Sequence, residues 1–220
     1  QGLRFRLQTR VLEAAARADG VLLQLQSDED SSEMVCDRLL VAVGRRPRTR
    51  GLNLEQIGIE TDAKTGRVVV DKQFRTTVKH IYAIGDLVAG PMLAHKASAE
   101  GIAAVECLLG MPGEVNTAAI PSVIYTSPEV AVVGLSEEEV RQRGVEYCVG
   151  SYPFAGSGRA RCMGETEGLV KIIAESKTDR VLGVHIIGAR ASDMIAEAVL
   201  AIEFGASSED IARSTHAHPT

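Results

Sequence analysis

The fold of this chain is indicated most clearly by the stretch Ile81-Tyr82-Ala83-Ile84-Gly85-Asp86. Four largely apolar residues in a row are typical of a short strand that is covered on both faces, and Gly85 ends the run. Asp86 would then lie at the carboxyl end of a strand, where α/β sheets bind nucleotides and where a carboxylate can accept hydrogen bonds from ligand hydroxyls. The alternative is that Asp86 only caps a turn.

A helix is predicted shortly after this strand, over residues 94–109. The segment Gly90-Pro91-Met92-Leu93-Ala94-His95 leads into it and leaves N–H groups free at the positive end of the helix dipole, which suits an electron-rich ligand edge. Met92 and Leu93 could add apolar contact, although an ordinary helix start explains the same pattern. One face of the helix is predicted to hold Ala97, Gly101, Val105 and Leu108. Its small residues fit either a flat ligand or tight packing against a sheet.

A second apolar run, Leu39-Leu40-Val41-Ala42-Val43-Gly44, predicts another strand that is covered on both faces. Gly44 at its end could let a dinucleotide lie against the backbone. Arg45 and Arg46 could meet phosphates, although a solvated basic turn also explains them. Shorter strands are predicted at Val21–Leu25 and Arg67–Val70.

The sequence ends in His216-Ala217-His218-Pro219-Thr220. Two histidines at positions i and i+2 of an extended segment point in opposite directions, which argues against a metal chelate. Pro219 favours an extended conformation for His218, and a histidine held in this way is a candidate general base. The alternative is a flexible tail.

The second half of the sequence has an α+β pattern: an antiparallel sheet with helices on one side. A domain boundary is predicted within residues 111–119. Helices are predicted after Ser136, over residues 191–204, and after Ser207. Ser136 has Glu139 in the capping-box position, and Ser207 has Asp210 there. Strands at hairpin-like spacing are predicted at 123–126, 131–133, 147–154, 169–175 and 180–187.

Composition narrows the class of protein. The 220 residues have a formal net charge of -5, and this excess of acidic over basic residues argues against nucleic acid as the main partner. No apolar run is long enough to span a bilayer. The four cysteines have no C-x-x-C spacing and fit neither a zinc site nor a disulfide scaffold. A start at Gln1 suggests a fragment or a processed chain.

Several motifs occur in one order, and together they closely resemble the pyridine nucleotide-disulfide oxidoreductase family, class I. Within it the resemblance is to the lipoamide-oxidising flavoproteins of 2-oxo acid dehydrogenase complexes, and it covers essentially the whole chain. The motifs are Val43-Gly44-Arg45-Arg46-Pro47, Ile81 to Asp86, Gly90 to Lys96, Ile120-Pro121-Ser122-Val123, Ser127-Pro128-Glu129-Val130-Ala131, and His216 to Thr220.

The resemblance implies a fold, cofactors and partners. Residues 1–118 are expected to form the end of an NAD-binding domain and the C-terminal part of an FAD-binding, Rossmann-like domain. Residues 119–220 are expected to form the dimerisation domain of a homodimer, which sends its histidine into the partner's active site. The implied reaction is oxidation of dihydrolipoamide to lipoamide with NAD as acceptor, and the implied partners are lipoyl domains, in the mitochondrial matrix or the bacterial cytoplasm.

The resemblance also implies roles for individual residues. Asp86 would bind the ribityl chain of FAD, and Gly44 would lie against NAD. His218 would be the base that takes a thiol proton, with His216 as its neighbour. The residues expected to line the flavin are Met92, Leu93, Ala94 and His95.

Some family features are absent from the sequence. No two cysteines stand four residues apart as in the family's redox disulfide, and no G-x-G-x-x-G turn occurs. The sequence is therefore expected to be a C-terminal half that is inactive alone. Two other functions stay open: a different disulfide reductase of the glutathione or mercuric reductase type, and a non-catalytic interface module.

Overall fold

The structure is a computed structural model that describes residues 2–28 and 30–220. Gln1 and Glu29 lie outside this description. The chain divides into two compact units, residues 1–45 and 46–220, which are described separately.

The first unit contains a three-stranded antiparallel sheet. Its strands are β1 (Arg10–Arg17), β2 (Gly20–Gln26) and β3 (Ser31–Cys36), paired in chain order. The predicted strand Val21–Leu25 is confirmed as the central strand, with Leu23 only 3% exposed. β3 was not predicted: the sequence suggests a polar loop over Ser27 to Glu33, but Ser31 already pairs with Gln26, the last residue of β2.

The predicted strand at Leu39–Gly44 is wrong. The run has no regular secondary structure, and Leu40 and Val43 are about nine-tenths exposed, at 87% and 91%. A consecutive apolar run forms a central strand only between two neighbouring strands, and the described residues supply no strand that pairs with it.

The second unit opens with mostly irregular chain up to helix α1 (Ala94–Leu108). The strands predicted at Arg67–Val70 and Ile81–Ile84 are each reduced to a single bridge, because each has only one short neighbour to pair with. The helix itself is confirmed to within one residue. Two short 3-10 helices, Leu54–Ile57 and Gly85–Leu87, interrupt the irregular chain.

A five-stranded antiparallel sheet forms the rest of the second unit, in the order β4-β5-β8-β7-β6. The predicted α+β pattern and all five predicted strands are confirmed, with shifts of one or two residues at their ends. The strands are β4 (Ser122–Ile124), β5 (Glu129–Gly134), β6 (Tyr147–Pro153), β7 (Gly168–Glu175) and β8 (Val181–Gly188).

Four helices accompany this sheet. α4 (Ala191–Glu203) packs Ile195 and Ala198 against buried valines and isoleucines of β5 and β8. α2 (Glu137–Gln142) and α5 (Ser208–Arg213) begin with the predicted capping boxes, in which a serine and an acidic residue three positions on bond reciprocally. α3 (Gly158–Met163) was not predicted, although its serine cap and terminal glycine are local signals. A further short 3-10 helix, Thr117–Ala119, lies within the predicted boundary.

Candidate cofactor site and histidine segment

The Gly85-Asp86 turn packs directly on helix α1. Gly85 has a φ of +70° and is buried, and a Cβ at this position would lie 3.0 Å from the Cβ of Ala97. Both facts require glycine, because other residues rarely adopt this backbone conformation and would press on the helix. The turn therefore holds Asp86, which is half-buried, beside the first turns of α1.

Beneath this turn lies an ion pair that the sequence analysis missed. Lys96 Nζ lies 2.8 Å from Glu100 Oε1, and the two side chains are only 2% and 7% exposed. The Gly85 N–H donates to Glu100 Oε2 at 2.7 Å, and Lys96 Nζ donates to the Gly85 carbonyl at 3.3 Å. The ion pair thus hydrogen-bonds both the N–H and the carbonyl group of Gly85, the residue immediately before Asp86.

The predicted apolar face of α1 is wrong in its second half. Ala97 and Gly101 do face inward, where Gly101 lies close to Ile84, but Val105 and Leu108 are more than half exposed. The buried face of the helix is rotated relative to the predicted one, because it includes the ion pair of Lys96 and Glu100. Its buried residues are Lys96, Glu100, Ala103 and Ala104. Within this chain Ala97 and Gly101 pack closely against the Gly85 turn and Ile84 rather than against a sheet.

The start of α1 presents free backbone donors. Among the described residues no side chain caps the helix, and its positive end lies next to the Asp86 turn. Met92 and Leu93 are half-buried, whereas Ala94 and His95 are exposed. His95 Nε2 lies 2.8 Å from the Pro121 carbonyl oxygen, to which it can donate. This hydrogen bond joins the helix start to the segment that leads into β4.

Gly44 belongs to the first unit. Its φ is +105°, and nothing lies within 4 Å of the position that a Cβ would take. The backbone at Gly44 is therefore open to a close approach by another group, and its φ is one that other residues rarely adopt.

The C-terminal segment is attached to the sheet domain through His216. Its Nε2 lies 2.6 Å from Glu197 Oε1 on α4, and its Nδ1 lies 2.8 Å from the Ser214 carbonyl oxygen. Both neighbours are acceptors, so both bonds form only when both ring nitrogens carry protons. The hydrogen bond to Glu197 accordingly raises the pKa of His216 above its ordinary value of 6.5.

His218 follows two residues later and is exposed. The residues after it, Pro219 and Thr220, line a cavity of about 620 Å³ together with Phe154 and Met194. His216 therefore fixes the segment while the imidazole of His218 stays open to solvent.

Some of the predicted site residues lie close together within the second unit. The Asp86 turn and the residues Met92 to His95 are adjacent. His218 lies in the C-terminal segment, whose other histidine, His216, bonds to Glu197 on α4. All four cysteines are free thiols. No group of three His, Cys, Asp or Glu side chains that could hold a metal ion is found in residues 2–28 and 30–220. No helix in the same residues has the length and apolar character needed to cross a membrane.

Two family models match the chain in sequence. The model of the pyridine nucleotide-disulphide oxidoreductase family matches residues 1–101, and the model of that family's dimerisation domain matches residues 120–220. The chain belongs to the pyridine nucleotide-disulphide oxidoreductase family. The predicted fold class, a Rossmann-like cofactor-binding region followed by an α+β dimerisation domain, is confirmed.

The chain is similar over its whole length to mitochondrial dihydrolipoyl dehydrogenases. It is 52% identical to that of Sus scrofa, 51% to that of Homo sapiens and 50% to that of Pisum sativum. These matches cover 100% of the chain and 44% of each relative, so the chain spans about half the length of the curated relatives it matches.

Two solved structures share the fold. LpdA of Mycobacterium tuberculosis matches with a TM-score of 0.90 at 26% identity, covering 100% of this chain and 47% of that one. The HOCl-induced flavoprotein disulfide reductase RclA of Escherichia coli matches with a TM-score of 0.83 at 29% identity, covering 96% and 48%.

Proposed function

We propose that this chain is part of an FAD-dependent dihydrolipoyl dehydrogenase, which oxidises dihydrolipoamide to lipoamide and passes the electrons to NAD. The observation that carries the proposal is the identity of about 50% with dihydrolipoyl dehydrogenases over every residue of the chain. The solved flavoprotein disulfide reductase RclA, which has a similar fold, is only 29% identical. We therefore favour the lipoamide enzyme over a glutathione or mercuric reductase type.

Residues of this chain fit FAD at the Asp86 turn. The carboxylate of Asp86 would accept hydrogen bonds from the ribityl hydroxyls, and the buried Gly85 fixes the turn that presents it. The uncapped N–H groups at the start of α1 would face an electron-rich edge of the flavin, which the helix dipole favours. Met92, Leu93, Ala94 and His95 would line the ring, and Gly44 would lie against NAD.

FAD, when bound, would relay two electrons from a reduced disulfide to NAD. The chain's own contribution to the chemistry would be His218. A protonated thiol is a poor nucleophile, so a base must take its proton before the sulfur can attack a disulfide. His218 would accept that proton on its imidazole, and Glu197 would keep the segment in place through His216.

The attacked disulfide would come from outside these 220 residues. The two cysteines nearest in sequence are Cys148 and Cys162, and both are exposed free thiols. Residues 119–220 would form the dimerisation domain of a homodimer, and residues 1–118 would complete the cofactor-binding domains. In the homodimer His218 would act in the partner's active site, in keeping with its exposure here. The lipoyl domains of 2-oxo acid dehydrogenase complexes would be the partners, and the relatives' names favour the mitochondrial matrix as the compartment.

The test is turnover by the complete protein. We expect a flavin absorbance spectrum and NADH formation with dihydrolipoamide. The variant His218→Gln should slow this oxidation at least about 100-fold, because a general base typically contributes that much or more. His80→Gln is the matched control, since His80 is also exposed but belongs to no proposed site.

Three results would contradict the proposal. A colourless complete protein would favour the non-catalytic interface module. Turnover with glutathione disulfide but not with dihydrolipoamide would favour another reductase. Wild-type rates in His218→Gln would remove the role of His218 while leaving the enzyme class in place.

A further inference from the structure

Lys96 and Glu100 are the only charged residues that are fully buried in the described part of the chain, and no step of the proposed reaction uses them. Burial of two charges is costly, and well-packed apolar residues of similar volume often stabilise a protein as well or better. Their presence therefore calls for an explanation other than stability.

The ion pair is aimed at one peptide segment. Glu100 accepts the Gly85 N–H through one carboxylate oxygen and binds Lys96 through the other. Lys96 closes the ring by donating to the Gly85 carbonyl. Gly85 is thus clamped from both of its polar groups, whereas an apolar pair would leave its buried N–H unsatisfied.

The backbone beyond Asp86 also wraps around Lys96. Gly90 has a φ of +101°, and a Cβ there would lie 2.8 Å from the Lys96 Cε. The segment from Gly85 to Gly90 therefore approaches the Lys96 side chain at its first and at its last residue. Asp86 lies between these two contacts, so its backbone position relative to the start of α1 depends on the ion pair.

We infer that Lys96 and Glu100 are positioning residues for FAD. They fix the Gly85 peptide, and thereby the position from which the Asp86 carboxylate would accept hydrogen bonds from the ribityl hydroxyls. This inference rests on the proposed function, because it takes Asp86 as an FAD ligand. A site that is ordered before binding loses less entropy on binding. The hydrogen bonds of Lys96 and Glu100 to Gly85 should therefore increase the affinity for FAD.

The experiment compares two uncharged double variants of the complete protein. Lys96→Met with Glu100→Leu removes every partner of the Gly85 N–H. Lys96→Met with Glu100→Gln also removes both charges but keeps a side-chain oxygen for that N–H. FAD affinity is measured by titrating the apoprotein with FAD and following flavin fluorescence and the visible absorbance bands. The control is Arg213→Met with Glu209→Leu, which removes an exposed i,i+4 pair.

We expect the leucine variant to bind FAD at least about tenfold more weakly, as loss of one charge-assisted hydrogen bond predicts. The glutamine variant should recover most of that affinity, and the control should bind like the wild type. Equal affinity in both double variants, whether wild-type or weakened, would overturn the inference, because the hydrogen bond to Gly85 would then have no effect.

Two further outcomes are distinguishable. If the leucine variant does not fold, Glu100→Asp replaces it, since the shorter side chain keeps the charge and draws the carboxylate away from Gly85. Tenfold weaker FAD binding in that variant supports the inference, and wild-type affinity overturns it. If the wild-type complete protein binds no FAD, the proposed function itself fails, and this inference fails with it.

Discussion

Replacement of Ile195 by alanine should loosen the domain that carries the histidine segment. Ile195 is 3% exposed and lies on α4 against the buried side chains of β5 and β8. The change removes three carbon groups, each worth about 0.8 kcal/mol of transfer free energy, so the transfer loss alone is about 2.4 kcal/mol. The cavity left behind raises the expected loss of stability to about 3–4 kcal/mol.

Amide hydrogen exchange of β8 measures this loss within the complete protein, because central strands exchange through the larger opening reactions. A loss of 3–4 kcal/mol corresponds to exchange that is about 140- to 700-fold faster. The control is Leu200→Ala on the same helix, since Leu200 is 58% exposed and should change stability by about 0.5 kcal/mol or less. Exchange less than about tenfold faster in the Ile195 variant would refute the assignment of α4 to the core.

Three further predictions concern single groups. Because the pKa of His216 is raised in the folded state by its bond to Glu197, the stabilisation is fully present below pH 6.5 and is lost as the pH rises through the raised value. Thermal unfolding against pH should show this loss, and Glu197→Gln should abolish it; an unchanged profile in that variant would contradict the pairing. Gly183→Ala would place a Cβ 2.0 Å from a backbone oxygen and should cost about 3 kcal/mol or more, whereas Gly150→Ala on the edge strand meets open space and should be near neutral. Ser136→Ala removes the cap of α2 and should cost about 1 kcal/mol in thermal unfolding, with no loss expected if the capping box is not formed.

Features that depend on neighbouring residues in the sequence were predicted well. The capping boxes at Ser136 and Ser207 join residues three apart, so their hydrogen bonds can be inferred from spacing alone. Three of the four strand pairs in the second half join strands that follow one another in sequence, such as β7 and β8, whereas the β5–β8 pair crosses about 50 residues. Short-range partners explain why the α+β pattern could be recognised.

Features that depend on distant partners were missed or misplaced. The run Leu39–Gly44 looks like a central strand, but whether it forms one depends on strands elsewhere. Lys96 and Glu100 have the spacing of an ordinary surface pair on a helix. They are buried because the Gly85 turn, which comes earlier in the sequence, packs on the helix above them. The contact of His216 with Glu197 likewise crosses 19 residues and has no signature in the sequence.

The exposed run Leu39–Gly44 has a practical consequence for work on these 220 residues by themselves. Among the described residues, no strand pairs with the backbone of this run, and its exposed side chains are apolar. Such a segment can pair with an edge strand of another copy of the chain. Self-association of this kind grows with protein concentration, so melting temperatures of this piece should drift on dilution. Comparisons between its variants are therefore meaningful only at matched concentrations.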